Sequence, residues 1–412
     1  MSVTKTDQGT QTDQAGDAPR RAMIPLVVTL FFAWGFATVL VDTLIPKLKS
    51  VFELSYAEAM LTQFCFFIAY LTISIPAGYL VARVGFLRGI IAGLFLMASG
   101  CLLFVPAAAF GVYPGFLLAL FVMASGITIL QVSANPLIAS LGAPETSHSR
   151  LTLAQAFNSL GTTLAPPVGA ALILASGAAG ASAAQTPFVA IACGLFVLVY
   201  VFWRRRHHEH ALGDRPDAPA MSLALLTNPR LALGALSIFL YVGAEVSIGS
   251  ILINYLMQSG MLGLDAAHAG RLVSLYWGGA MVGRFLGSAV LRRFPAGYVL
   301  GAHAVGAATL ALVSAGSGGL LAAAAILGVG LCNSIMFPTI FCLAIEKLDA
   351  EKPQGSGLLC LAIVGGAVVP VVTGMTADAF SLSVALFVPA ACYLAIAVYG
   401  VLAGAGKLES RN

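Results

Sequence analysis

Long apolar runs separated by short polar gaps cover most of the chain. A helix needs about 20 mostly apolar residues to cross a bilayer. Twelve runs qualify, at approximately 23–46, 59–82, 87–108, 114–141, 151–176, 186–203, 229–257, 270–292, 298–315, 319–345, 355–379 and 383–404. The pattern predicts an all-α membrane protein of twelve transmembrane helices. The longest polar interruption after the N-terminus separates the sixth run from the seventh. The expected organisation is therefore a disordered tail (1–22), a six-helix bundle (23–203), a linker (204–228), a second six-helix bundle (229–405) and a short tail (406–412).

Polar positions inside the runs carry a second pattern. The fourth run contains GITILQVSANPLIASLG, Gly126 to Gly142, with Gln131, Ser133 and Asn135 at its middle. An unpartnered polar group there costs several kcal/mol in hydrocarbon, so these side chains need something to face. The tenth run repeats the layout: an offset of 202 carries Gly126, Gln131 and Pro136 to Gly328, Asn333 and Pro338. Gly161 and Pro166 in the fifth run match Gly365 and Pro370 in the eleventh at an offset of 204. WGFATVLVDTLI in the first run matches VGAEVSIGSILI in the seventh at 208, which sets Asp42 opposite Ser250 and Ala37 opposite Glu245. Parallel repeats of this kind, related by an axis along the membrane normal, are a transporter architecture.

Composition agrees with the pattern. Hydrophobic residues make up 59% of the 412 and charged residues 9%, against about a quarter charged in soluble domains. The net charge of +4 comes from short basic clusters beside apolar runs, which is topology signalling and not a nucleic-acid footprint. Arg204, Arg205 and Arg206, with Arg83, Arg88, Arg150, Arg292, Arg293, Lys347 and Lys352, fall in alternate loops; by the positive-inside rule those loops and both termini are cytoplasmic. The seven cysteines show no CxxC spacing and read as free thiols packed as small hydrophobes. The N-terminus lacks the apolar core of a signal peptide.

Asp42 and Glu245 are the carboxylates deep in the predicted spans. A charge there is costly and faces a cavity by default. Burial disfavours the charged form, which suits Asp42 to taking up a proton or cation. Glu245 reads equally as a cavity residue or as a neutral acid bonded to a neighbouring helix. Gln131, Asn135, Gln155, Asn158, Asn254 and Asn333 place amides near mid-membrane in both halves. Converging amides can hold the hydroxyls of a neutral, hydrophilic ligand without setting a net charge beside it. Trp34, Phe157 and Trp277 lie near them, and an aromatic face can stack on the apolar face of a sugar ring. Arg83, Arg88, Arg284, Arg292 and Arg293 fall toward the cytoplasmic helix ends, where ion pairs or contacts between the halves are the expected use. No GxxxxGK[ST] loop is present, so no ATP motor is expected. The histidines, His148, His207, His208, His210, His268 and His303, lie almost entirely in loops and tails, which argues against an enzyme.

The runs FFAWGF and VDTLIPKLK (within Phe31 to Lys49), ILQVSANP (Ile129 to Pro136), RLTLAQAFNSLGTTLAP (Arg150 to Pro166), YVGAEVSIGS (Tyr241 to Ser250), YWGGAMVGRF (Tyr276 to Phe285), NSIMFPTIF (Asn333 to Phe341) and QGSGLLCLAIVGGAVVP (Gln354 to Pro370) resemble the major facilitator superfamily. Within it they look like the fucose-galactose-glucose:proton symporter family, on its bacterial glucose/galactose transporter branch. GYLVARVGFLRG after the second run is a degenerate form of the superfamily loop motif, with Ala82 where an aspartate is usual. The resemblance implies two six-helix bundles, alternating access, and cation-driven uptake of a monosaccharide across the bacterial inner membrane. It also implies cation coupling at Asp42 and a sugar site that includes Asn158. A fourth-helix glutamate of the fucose transporters is Gln131 here, so a two-carboxylate scheme does not carry over and either proton or sodium fits.

The expected protein is a symporter, not an enzyme, for a neutral monosaccharide. Glucose and galactose lead; fucose, fructose and N-acetylglucosamine are alternatives, and a non-transporting membrane sugar sensor is the alternative from another class. Gln131, Asn135, Gln155, Asn158, Asn254, Asn333, Glu245, Trp34 and Trp277 are its candidate sugar residues. The expected partners are the sugar and the lipid bilayer, with no cofactor beyond the coupling ion, no nucleic acid, and function as a monomer.

Overall fold

The computed structural model describes residues 9–42, 56–110, 112–175, 185–207 and 223–408. They form α1 (Gly9–Asp42), α2 (Tyr56–Val84), α3 (Phe86–Phe110), α4 (Tyr113–Ser140), α5 (Ser147–Ala175), α6 (Gln185–Arg204), α7 (Pro229–Met257), α8 (Ala266–Val290), α9 (Ala296–Gly316), α10 (Gly319–Ile345), α11 (Asp349–Ala379) and α12 (Leu382–Gly404). No strand occurs among the described residues. The helical stretch of α10 breaks after Asn333 and resumes at Met336, and α11 tightens to a 3₁₀ turn at Ala362–Val364.

Ten of these segments are apolar and long enough to cross a membrane by composition alone; α5 and α8 are the two that are not. Both are diluted by polar residues, Gln155, Asn158, Thr162 and Thr163 on α5 and Arg271 and Arg284 on α8. Such helices are tolerated in a bilayer when their polar side faces protein or a cavity.

Two boundaries differ from expectation. α1 begins at Gly9, inside the stretch expected to be a disordered tail, because extending a nucleated helix adds one hydrogen bond per residue and needs no apolar partner. α8 begins at Ala266 rather than 270, because Asp265 caps it by accepting a 2.9 Å bond from the His268 backbone N–H. α7 starts where expected, with Pro229 in its first turn and the Asn228 side chain accepting from the Arg230 and Leu231 N–H groups.

The helices pack as two halves with matching internal order. In the first, α3 packs on α4 and α6, α1 on α5, and α2 on α4; in the second, α9 packs on α10 and α12, α7 on α11, and α8 on α10. The match reaches single residues. Gly161 of α5 lies against the Phe32 carbonyl of α1, and Gly365 of α11 lies against the Phe239 carbonyl of α7. In each case the missing side chain lets two backbones touch, the close approach expected of small residues between membrane helices.

Between the halves, α2 packs on α11 and α5 on α8, with α4 and α10 adding contacts. Ser149 donates to the Ser288 carbonyl at 2.6 Å, Arg292 donates to Ser149 Oγ at 3.1 Å, and Ser356 donates to the Val132 carbonyl at 2.9 Å. Gly357 of α11 approaches the Ser74 carbonyl of α2. These links gather at one end of the molecule, beside the α2–α3, α4–α5, α8–α9 and α10–α11 connections. That end is closed.

Adding a methyl at Gly161 or Gly365 forces backbone apart, and overpacking of this kind costs about 1–3 kcal/mol. Gly161→Ala and Gly365→Ala should each lower the melting temperature measured by fluorescence size-exclusion chromatography in detergent. Gly374→Ala on α11, which has open space around it, should leave it unchanged or slightly raised. Equal melting temperatures for Gly365→Ala and Gly374→Ala would contradict the packing role.

Candidate functional site

A cavity lies between the halves above the closed end, in two adjoining lobes that share Thr162, Glu245 and Arg284. The inner lobe, about 240 Å³, is lined on the first half by Trp34, Gly35 and Thr38 of α1, Tyr70 of α2, Gln131 of α4, and Gln155 and Asn158 of α5. The second half contributes Tyr241 and Val242 of α7, Phe337 and Pro338 of α10, and Ile363 of α11. The outer lobe, about 550 Å³, is lined by Val39, Ser159, Thr163, Pro166, Ser274, Trp277 and Ala280 among others. A volume of that size is in the range of small-molecule sites, ~300–1,000 Å³.

The amides are held in place by their neighbours. Gln131 donates its side-chain N–H to the Tyr70 hydroxyl. Asn158 donates to the Phe31 carbonyl at 2.9 Å and packs over Gly35, where a side chain would leave it no room. Gln155, 7% exposed, lines the same lobe with no hydrogen-bond partner for its side chain among the described residues. Trp34 sits in the same lobe, its ring 5.2 Å from that of Phe31. On the opposite wall Glu245 accepts a 2.7 Å bond from the Tyr241 hydroxyl. Arg284 donates to Ser159 Oγ and, at 3.2 Å, to the Ser334 carbonyl. Glu245 and Arg284 are the charged side chains among the described lining residues, and they offset each other.

The structure thus brings together Gln131, Gln155, Asn158, Glu245 and Trp34 in one lobe and sets Trp277, 46% exposed, in the other. Three expected residues do not join them. Asn135 and Asn333 are wholly buried and absent from the lining, and Asn254 is exposed about two and a half turns along α7 from Glu245. The expectation that amides from both halves converge is corrected: the cavity amides come from α4 and α5 of the first half. Asn333 turns instead toward α8 and donates to the Tyr276 hydroxyl at 2.8 Å. Phe337 and Pro338, one turn on, take the cavity wall. The side chain of Asp42, the last residue of α1, is outside the described residues.

Tyr70, Tyr241 and Arg284 are lining residues that the sequence reading did not select. Arg284 resembles the nearby arginines at the helix ends in residue type, yet it lies two turns before Arg292 and within α8. That depth was the available signal, since a cation inside a span marks a functional position. Phe157, expected near the sugar residues, packs across the halves on Phe285 with ring centres 5.7 Å apart.

Residues 26–368 match the Major Facilitator Superfamily model. The glucose/galactose transporter of Brucella abortus biovar 1 (strain 9-941) is 49% identical over 383 residues, 90% of this chain and 92% of that protein. The putative glucose/galactose transporter of Helicobacter pylori (strain J99) is 40% identical over 391 residues, 91% of this chain and 95% of that one. Among solved structures, FucP, the fucose:proton symporter of E. coli, in its outward conformation superposes with a TM-score of 0.84 at 31% identity, covering 93% of this chain and 99% of that one.

The two amide–tyrosine pairs separate a binding role from a structural one. Tyr276→Phe strips a partner from a sealed amide and should cost about 1–3 kcal/mol of stability while leaving ligand affinity within about twofold. Tyr70→Phe frees an amide that lines the cavity and should change ligand affinity more than stability. Parallel thermal-shift and binding titrations on the two variants read out the difference.

Proposed function

The chain belongs to the Major Facilitator Superfamily, and from that premise we propose that it is a cation-coupled symporter importing a neutral monosaccharide, glucose or galactose first. The observation that carries this reading is the convergence of Gln131, Gln155 and Asn158 beside Trp34 in a cavity between two halves that are tied together at one end. Uncharged amides can donate to and accept from several hydroxyls of one sugar, and the indole can cover its apolar face. The Glu245 and Arg284 charges offset each other, so a neutral solute enters without an unbalanced field. The names of the relatives support the same solute class.

The basic loops lie at the closed end, so that end faces the cytoplasm, both termini with it, and the cavity opens outward, across the bacterial inner membrane. Asp42 ends α1 on the outward side and remains the residue proposed to carry the coupling ion, proton or sodium. Neutralising it by ion binding removes a charge that opposes occlusion in low dielectric, so the fully loaded carrier turns over and the half-loaded one does not.

Liposomes containing the full chain should accumulate labelled glucose and galactose when a pH or a sodium gradient is imposed alone, and the effective gradient identifies the ion. Fucose, fructose and N-acetylglucosamine in competition rank the alternatives. Gln131→Ala and Asn158→Ala should each lower apparent sugar affinity about tenfold or more. Asp42→Asn should abolish accumulation while retaining sugar exchange; accumulation by that variant would refute its coupling role.

A further inference from the structure

Arg284 is a cation inside a span, and its partners belong to different halves. Its guanidinium donates to the Ser334 carbonyl where α10 breaks, in its own half, and to the Ser159 hydroxyl of α5 in the other. The two attachments are unequal. Gly283 sits so close to α10 that an added methyl would meet the Ser334 hydroxyl at 2.5 Å and the Leu331 carbonyl at 2.9 Å, so α8 and α10 pack tightly here. Toward α5 the guanidinium meets a single side-chain hydroxyl. Glu245 lies within electrostatic reach and balances the charge without standing at the junction itself.

We propose that Arg284 is a latch: a positioning residue that holds α5 against α8 and α10 and keeps the closed end shut while the cavity faces the other way, with Glu245 as its counter-charge. It is not a sugar ligand. The proposal rests on the reading of the cavity as one that opens at alternate ends. The Ser159 bond crosses the halves, so it exists only while they meet at that depth. A bond made in one state alone shifts the equilibrium by its full strength, and a hydrogen bond to a charged group is strong enough to shift it about tenfold or more.

Native thiols provide the readout. Cys342 of α10 is 2% exposed on the segment that packs on α5, while Cys360 of α11 is fully buried one turn from Ser356 and Gly357, which meet α4 and α2, so both lie at the seam between the halves. Cys101 is buried inside the first half and reports on folding. The test measures alkylation by N-ethylmaleimide, resolved by mass spectrometry at each cysteine, on the full chain in liposomes without sugar or ion gradient. Ser159→Ala and Arg284→Ala should raise the rates at Cys342 and Cys360 about tenfold with Cys101 still protected, and Ser159→Thr, which keeps the hydroxyl, should behave as the parent chain. Unchanged rates in Ser159→Ala with Cys101 protected would overturn the latch. Should Arg284→Ala lose Cys101 protection, Ser159→Ala decides alone, since it removes one oxygen. No substrate enters the assay, so a chain that transports none of the sugars tested yet shows the rise would uphold the latch and refute the monosaccharide assignment. Gradient-driven uptake without the rise would do the reverse.

Discussion

A polar side chain placed in hydrocarbon must find a partner, and this requirement organises the interior of the protein. Each half answers it once in the same way. Gln131 of α4 bonds to Tyr70 of α2, and Asn333 of α10 bonds to Tyr276 of α8, at sequence offsets of 202 and 206. The helices so joined correspond under the exchange of halves. The outcomes diverge because the surroundings do: the Gln131 pair lies on the cavity wall, whereas the Asn333 pair is sealed. The same kind of pair therefore lines a cavity in one half and braces buried helices in the other.

The same half-repeat explains what is rigid and what can move. Within the halves, helices meet through glycines that bring backbone onto backbone, as at Gly161 on Phe32 and Gly365 on Phe239. Such contacts have no slack, since relieving them means separating whole helices. Between the halves, Gly357 also brings α11 close to the Ser74 carbonyl of α2, but the other links are side-chain hydrogen bonds from Ser149, Arg292, Ser356 and Arg284. These can break singly and be replaced by water. Two stiff bodies joined by exchangeable bonds are suited to rocking against each other about a central cavity, the motion by which repeat-built transporters alternate.

The spans, and the matching glycines, prolines and amides, were legible in the sequence because a bilayer imposes a minimum apolar length and makes each interior polar residue conspicuous. α7 begins at Pro229, where the pattern placed it. Facing was less legible. Gln131 and Asn333 occupy equivalent positions, and nothing in residue type says which pairs with a buried tyrosine out of reach of the cavity. Asn254 looked like a mid-span amide because it follows an unbroken apolar run, yet it lies toward the end of α7 and is exposed. Arg284 was hidden by its neighbours: with Arg292 and Arg293 close by, it read as part of a basic helix end, and only packing distinguishes a cation that spans the halves from one that marks topology.

The division of labour across the cavity follows from these facings. The first half offers Gln131, Gln155, Asn158 and Thr38, neutral groups that can each donate and accept. The second offers Val242, Phe337, Pro338 and Ile363, an apolar wall interrupted by Tyr241, Glu245 and Arg284. A ring sugar has this polarity, with hydroxyls at its rim and C–H bonds on its face. A cavity polar on both walls would satisfy a bound solute from either half and give it no reason to draw the halves together. With the amides and Trp34 on one side and the larger apolar wall on the other, a solute bound to the first half gains the second wall's contacts only when both halves close on it. Occupancy then favours closure, which is the differential affinity that a ligand must have to shift a conformational equilibrium.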